Sequence, residues 1–258
     1  MLTSQLDTTL PFALKEGGSY TFRLTVLGTG TAAPQFSVEN GSVLKAQCVS
    51  KSGRDFYYKI TATGKNGDFS RIYASLPGED RVSCLVTIAP TNDLVIDSSG
   101  VLKRYNGPGG NVEIPKCVTV IGRDAFEFTA VSGVTIPSTV TRIEDSAFAE
   151  SKLQSITIPD SVTGIGSFAF EYYKSLTQVT LPKNLTEISD NLFDHSPIKS
   201  ISLPDSVTEL GTGAFSDCKF LSEAVLSKQL REIPDNAFSG SALTQITIPD
   251  GVEKIGKP

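Results

Sequence analysis

Phe126, Phe148, Phe170, Phe193, Phe215 and Phe238 recur at intervals of 22 or 23 residues, and each stands 11 positions after a site that is proline in five of six cases. A unit that short cannot enclose a core by itself, so it must bury its apolar face against the units before and after it. The period therefore dictates a solenoid. Pro115, Pro137, Pro159, Pro182 and Pro204 fill the recurrent site, and Ser227 replaces proline in the sixth unit. From Val131, Leu153, Leu176, Ile198, Leu221 and Leu243 to the next such site the step is always 6 residues. Only the stretch between Phe and the following aliphatic residue varies, from 5 positions to 6 after Phe170 and Phe215. One exposed loop thus absorbs the insertions while the core columns hold their spacing.

A unit reads as a short strand, a proline, two inward aliphatics, Ala-Phe, and a loop. Ile156 and Ile158 flank Thr157, an alternation with period two that buries one strand face. Proline then ends the ladder because it has no N–H to donate. Val162, Ile165 and Phe170 turn back inward, and Val140, Ile143 and Phe148, or Leu185, Ile188 and Phe193, fill the same columns in neighbouring units. Parallel strands about 4.8 Å apart place the Phe rings in one continuous row.

The phrases Ile158-Pro159-Asp160-Ser161-Val162, Ile165-Gly166 and Ala169-Phe170 resemble the BspA-like leucine-rich repeats of many bacterial surface proteins. The resemblance runs over residues 112–256, six full repeats and a partial seventh that includes Val252 and Ile255. Asp97 to Leu102, followed by Tyr105-Asn106-Gly107-Pro108-Gly109-Gly110, is similar to the hairpin that opens such arrays. The resemblance implies an extracellular or cell-surface adhesion or binding role and leaves the partner open.

Residues 1–90 lack the repeat. Tyr20–Val26, Val43–Val49, Phe56–Ala62, Ser70–Leu76 and Arg81–Ile88 alternate between turn-forming Gly, Asn and Asp, which predicts an immunoglobulin-like antiparallel β-sandwich. The expected organisation is mainly β: this sandwich over 1–90, then a leucine-rich-repeat solenoid over 91–258 whose lead-in occupies 91–112. The boundary is expected near Ala89-Pro90-Thr91-Asn92. Met1-Leu2-Thr3-Ser4 lacks a basic stretch before an apolar one, so no signal peptide is expected here. Together with an array that stops part-way through a turn, this predicts a segment of a longer exported protein. No apolar run approaches about 18 residues, so membrane insertion is not expected.

Chemical motifs are few. Gly28-Thr29-Gly30-Thr31-Ala32-Ala33 mimics a dinucleotide-binding turn, yet Pro34 and β-rich sequence follow where a helix is required. His195, the sole histidine, lies in a variable loop and is expected to be a solvated surface residue rather than a catalytic base. One histidine and scattered cysteines have no zinc-ligand spacing, so neither metal nor cofactor is expected. Cys48 and Cys84 could bridge two strands of the first domain, and Cys218 reads as a small buried residue. Asp160, Asp205 and Asp250 read as turn residues. A net charge of -5 with dispersed basic residues disfavours nucleic acid.

Two surfaces remain for binding. The outward strand positions include Thr157, Gln178, Thr180 and Ser202, a polar and nearly uncharged ladder. Tyr172 and Tyr173 occupy a lengthened loop and Phe128 its counterpart two turns earlier, and such aromatics suit an interface centre unless they lid the Phe row. The sequence thus predicts a monomeric, non-catalytic module that recognises a protein or glycan on a host or neighbouring cell. An accessory module of a secreted hydrolase and a passive spacer are the alternatives.

Overall fold

A computed structural model describes residues 3–6, 11–27, 33–65, 67–77, 80–88 and 93–258. The chain divides into two compact units, residues 1–100 with 115–117, and residues 101–114 with 118–258. Residues 28–32 of the glycine-rich motif and the expected boundary at 89–92 lie outside the described residues.

Among the described residues, two sheets of the first unit are built from eight strands: β1 Thr3–Leu6, β2 Phe12–Leu14, β3 Ser19–Leu27, β4 Gln35–Val38, β5 Leu44–Ser52, β6 Asp55–Ala62, β7 Phe69–Ser75 and β8 Val82–Ile88. They form two sheets, ordered β1-β3-β6-β5 and β2-β8-β7-β4, antiparallel throughout except for the parallel β2–β8 pair. Phe22, Leu24, Phe56 and Ile60 from one sheet share a core with Ile72, Ala74, Val86 and Ile88 from the other. The predicted alternation supplied β3 and β5 to β8. The short β1, β2 and β4 give too few residues to display a period. No bridge joins Cys48 to Cys84: both are free, Cys48 being exposed on β5 while Cys84 is buried on β8. The pairing that alternation alone left open is thus excluded by side chains on opposite sides of the core boundary.

The second unit is a stack of turns. Val101–Tyr105 pairs in parallel with Val120–Ile121, which pairs with Arg142–Ile143, which pairs with Gly164–Ile165. The strands before the prolines pair in parallel as well, Gly110–Glu113 with Val131–Thr135, Ser155–Thr157 with Gln178–Thr180, and Ser200–Ser202 with Glu223–Val225. After each proline the chain reverses through a tight turn. Val162 N–H donates to Pro159 O at 3.0 Å, and Val207 N–H to Pro204 O at 3.0 Å. The hydroxyl two places after the proline then ties the turns together: Thr139, Ser161 and Ser206 donate to the carbonyls of Val118, Val140 and Leu185 at 2.8, 2.7 and 2.6 Å. Where Ser227 stands for proline, its own hydroxyl accepts from Gln229 N–H at 3.1 Å and so holds the turn that the pyrrolidine ring would otherwise fix. Asp160 does more than shape its turn. Its Oδ1 accepts from Lys183 N–H, one unit on, at 2.9 Å.

The predicted row is present. Consecutive rings from Phe126 to Phe238 stack with centroids 5.0, 5.6, 5.5, 5.4 and 5.2 Å apart and planes within 11° of parallel. The first five rings are completely buried. Burial of each contributes roughly 1.5–3 kcal/mol, so the row is a principal source of the unit's cohesion. Its backbone has an uncommon form. The residues two before each Phe, Asp124, Ser146, Phe168, Asn191, Gly213 and Asn236, and two after, Phe128, Glu150, Tyr172, His195, Asp217 and Gly240, all have φ between 51° and 67°. Left-handed residues on both flanks turn the N–H groups of these positions and of Phe itself the same way. In the turn of Phe148, Ser146, Phe148 and Glu150 donate to Ser167, Ala169 and Glu171 O at 3.0, 3.1 and 3.1 Å, and the turns of Phe126, Phe170, Phe193 and Phe215 repeat the pattern.

Candidate functional site

The strand face carries Thr157, Gln178, Thr180 and Ser202 outward, while Ile156, Ile201 and their equivalents point into the core. Register places Thr157 directly beside Thr180 and Ser155 beside Gln178. Ser202 pairs with Val225, an exposed valine that interrupts the polar ladder. A shallow open groove crosses this face over the first turns, lined by Asn111, Glu113, Gly133, Thr135, Ser155 and Thr157 among others. Of the four predicted strand residues only Thr157 borders it. A Cβ at Gly133 would lie 2.4 Å from Asn111 Oδ1, so a larger residue there displaces that side chain.

The loop aromatics separate into two classes. Phe128 and Tyr172 occupy the left-handed position two after the core Phe and stand 67% and 48% exposed. Tyr173 is not available for contact, being only 4% exposed. Its hydroxyl donates to Phe148 O at 2.6 Å and meets Ser151 Oγ at 2.8 Å, and burial pushes its pKa upward. The lengthened loop folds its third residue inward over the Phe row, where a polar tip needs a partner. Cys218 makes the equivalent contact in the other lengthened loop, its thiol donating to Phe193 O at 3.1 Å with its pKa pushed up to about 12 by burial. Phe220 in that loop is 62% exposed and was not singled out by the period, because nothing in the core columns fixes it.

His195 is exposed at the surface, as expected, and it also has partners there. It follows Tyr172 in the same left-handed column, and the two rings stack with centroids 4.5 Å apart. Its Nδ1 lies 3.0 Å from Asp194 Oδ1 and its Nε2 lies 3.6 Å from Asp217 Oδ2. Asp217 stands 22 residues after His195, in the same column one turn later, so the period itself brings the carboxylate to the imidazole. One nitrogen of His195 and one oxygen from each Asp all fall within 4.8 Å of one another, an arrangement of metal-ligand type that linear spacing did not suggest. Glu171, on the preceding turn, is held above its ordinary pKa by burial and then by the charge of Asp194, an effect that nearby His195 opposes.

A profile of the BspA type leucine rich repeat region matches in 6 copies, over residues 105–219 and 141–258. The chain belongs to this family. Among solved structures, a leucine-rich repeat protein from Eubacterium ventriosum is similar at 24% identity and a TM-score of 0.59, covering 66% of this chain and 50% of that one. A leucine-rich repeat protein from Bacteroides ovatus is similar at 23% identity and a TM-score of 0.53, covering 67% of this chain and 50% of that one. The chain thus spans half the length of each. A search of curated proteins finds no significant match. On this BspA-type array Phe128 and Tyr172 are exposed, and the groove lies on the strand face.

Proposed function

We propose that the protein is a non-catalytic binding module of the bacterial cell surface or its surroundings, whose repeat array recognises a protein on a host or neighbouring cell. The observation that carries this reading is the pair Phe128 and Tyr172, large exposed aromatic side chains on backbone positions whose N–H groups donate to the next turn, to Ala149 O at 3.1 Å and Asp194 O at 2.9 Å. An aromatic on a rigid support loses little conformational freedom on association, which is the property of interface anchors. The strand-face groove offers hydrogen bonding but no aromatic floor, so it suits a polypeptide edge better than a sugar ring. Membership of the BspA-type family favours the surface setting.

The strand order of the first unit supports reading it as immunoglobulin-like. With β1, β3, β6 and β5 as A, B, E and D, and β8, β7 and β4 as G, F and C, both sheets follow that fold's arrangement. In this reading the sandwich acts as a spacer or second binding module, and Gln178, Thr180 and Ser202 serve as peripheral contacts beyond the groove.

The test is a binding screen of the protein against host matrix proteins and glycans, repeated with Phe128→Ser combined with Tyr172→Ser. Binding to a protein partner weakened by more than about tenfold in the double variant supports the assignment. Binding to no protein in the panel, or binding unchanged by the substitutions, refutes it.

A further inference from the structure

We propose that Asp194, His195 and Asp217 form a binding site for a divalent transition-metal cation, of which Zn2+ is the best match, pinning two consecutive turns of the array together. The ligands come from both turns: Asp194 and His195 follow Phe193, and Asp217 follows Phe215. Two carboxylates and one imidazole favour a borderline cation over a hard one, and a three-ligand set leaves a coordination position for water.

The two carboxylates approach different nitrogens of the ring, so a cation held by one nitrogen draws one carboxylate across by a side-chain rotation, over a distance already within 4.8 Å. Asp194 Oδ1 is buried and has no hydrogen-bond donor, although His195 Nδ1 lies 3.0 Å away, so the ring N–H is not aimed at it. The other nitrogen is 3.6 Å from Asp217 Oδ2, beyond hydrogen-bond reach. Two atoms each about 2.1 Å from one cation lie roughly 3.0–3.4 Å apart without pointing at one another, which is the relation of Asp194 Oδ1 to the imidazole. A buried carboxylate oxygen with no donor is costly unless a charge of opposite sign meets it. Tyr172 stacks on the ring at 4.5 Å and limits its rotation, so the ligand is partly fixed before a cation arrives.

Because His195 is the one histidine in the chain, a single imidazole signal reports on the site. The experiment is a proton NMR titration of the intact protein with Zn2+ at neutral pH, with Asp217→Asn and His195→Ala alongside and thermal melts of each metal-free protein to verify folding. The expected result is a shift of the imidazole signals that saturates at one equivalent, with Asp217→Asn weakening binding by more than about tenfold. The melting temperature should also rise with Zn2+ in the unaltered protein and stay constant in His195→Ala. An imidazole signal indifferent to excess Zn2+ overturns the proposal. So does undiminished binding in Asp217→Asn, which would make the imidazole alone responsible. Should Asp217→Asn fail to fold, the titration of the unaltered protein and the Zn2+-dependent melt decide the matter without it.

Discussion

At the level of single residues, the array distinguishes side chains that sequence treats alike. Phe170 is enclosed between Phe148 and Phe193, with centroids 5.6 and 5.5 Å away. Phe170→Ala should cost about 3–5 kcal/mol in a denaturant melt, because flanking rings held by their own ladder cannot collapse into the gap. Tyr172 and Tyr173 are adjacent yet opposite in role. Tyr173→Phe should lose about 1–3 kcal/mol, since Phe148 O gives up its buried donor and Ser151 Oγ its partner. Tyr172→Phe should leave the melt within about 0.5 kcal/mol of the unaltered protein. Glu171 offers a test by pH. Burial and the charge of Asp194 raise its pKa above the ordinary 4.5, so in the folded state it resists ionisation. A raised carboxyl contributes stability that is full below the unfolded value near 4.5 and is lost as pH rises through the folded one. Glu171→Gln should therefore be more stable than the unaltered protein at pH 7, and the gap should close as pH falls toward 4. Equal midpoints at both pH values would contradict the burial.

At the level of elements, the distinctive device is the pair of left-handed columns beside the Phe row. Non-glycine residues in this conformation cost roughly 1–2 kcal/mol each, and the hydrogen bonds to the next turn hold them there. Glu150, with φ of 52°, is a clean probe of that cost. Glu150→Ile should destabilise by about 1–2 kcal/mol, because a β-branched side chain crowds the left-handed backbone, whereas Glu150→Gly should be neutral or slightly stabilising. Urea melts of the two variants check the difference. This backbone was not legible in the sequence. One column holds Asp, Ser, Phe, Asn, Gly and Asn and the other Phe, Glu, Tyr, His, Asp and Gly, and only some of these types prefer positive φ. The apolar columns were legible because burial restricts them to Val, Ile, Leu and Phe at a fixed step. The inward turn of Tyr173 was hidden for a related reason. The lengthened loop advertises an extra residue, but which residue faces the core depends on a carbonyl one turn earlier. The grouping of His195 with Asp217 was hidden only from a search for linear motifs, since the period of 22 already aligned them.

Across the whole molecule, the sequence resolved a repeating and a non-repeating part with unequal sharpness. In the array each turn restates the same constraints, so an error in one unit is corrected by its neighbours. The first unit has no such redundancy. Its long strands were visible through alternation, while three short ones were not. In the array stability should be a sum of turn and interface terms, so a central lesion such as Phe170→Ala should divide its unfolding into two transitions more readily than a lesion at Phe126. Hydrogen exchange resolved along the chain would register that difference.

The shared orientation of the amides along the Phe row has an architectural corollary. Every turn offers the same donors to its successor and the same acceptors to its predecessor, so the turns are interchangeable parts with a built-in direction. Duplication or removal of one whole repeat preserves every mating surface, whereas outside the loop after each core Phe a change of any other length leaves a misfit, so the number of turns changes only by whole repeats.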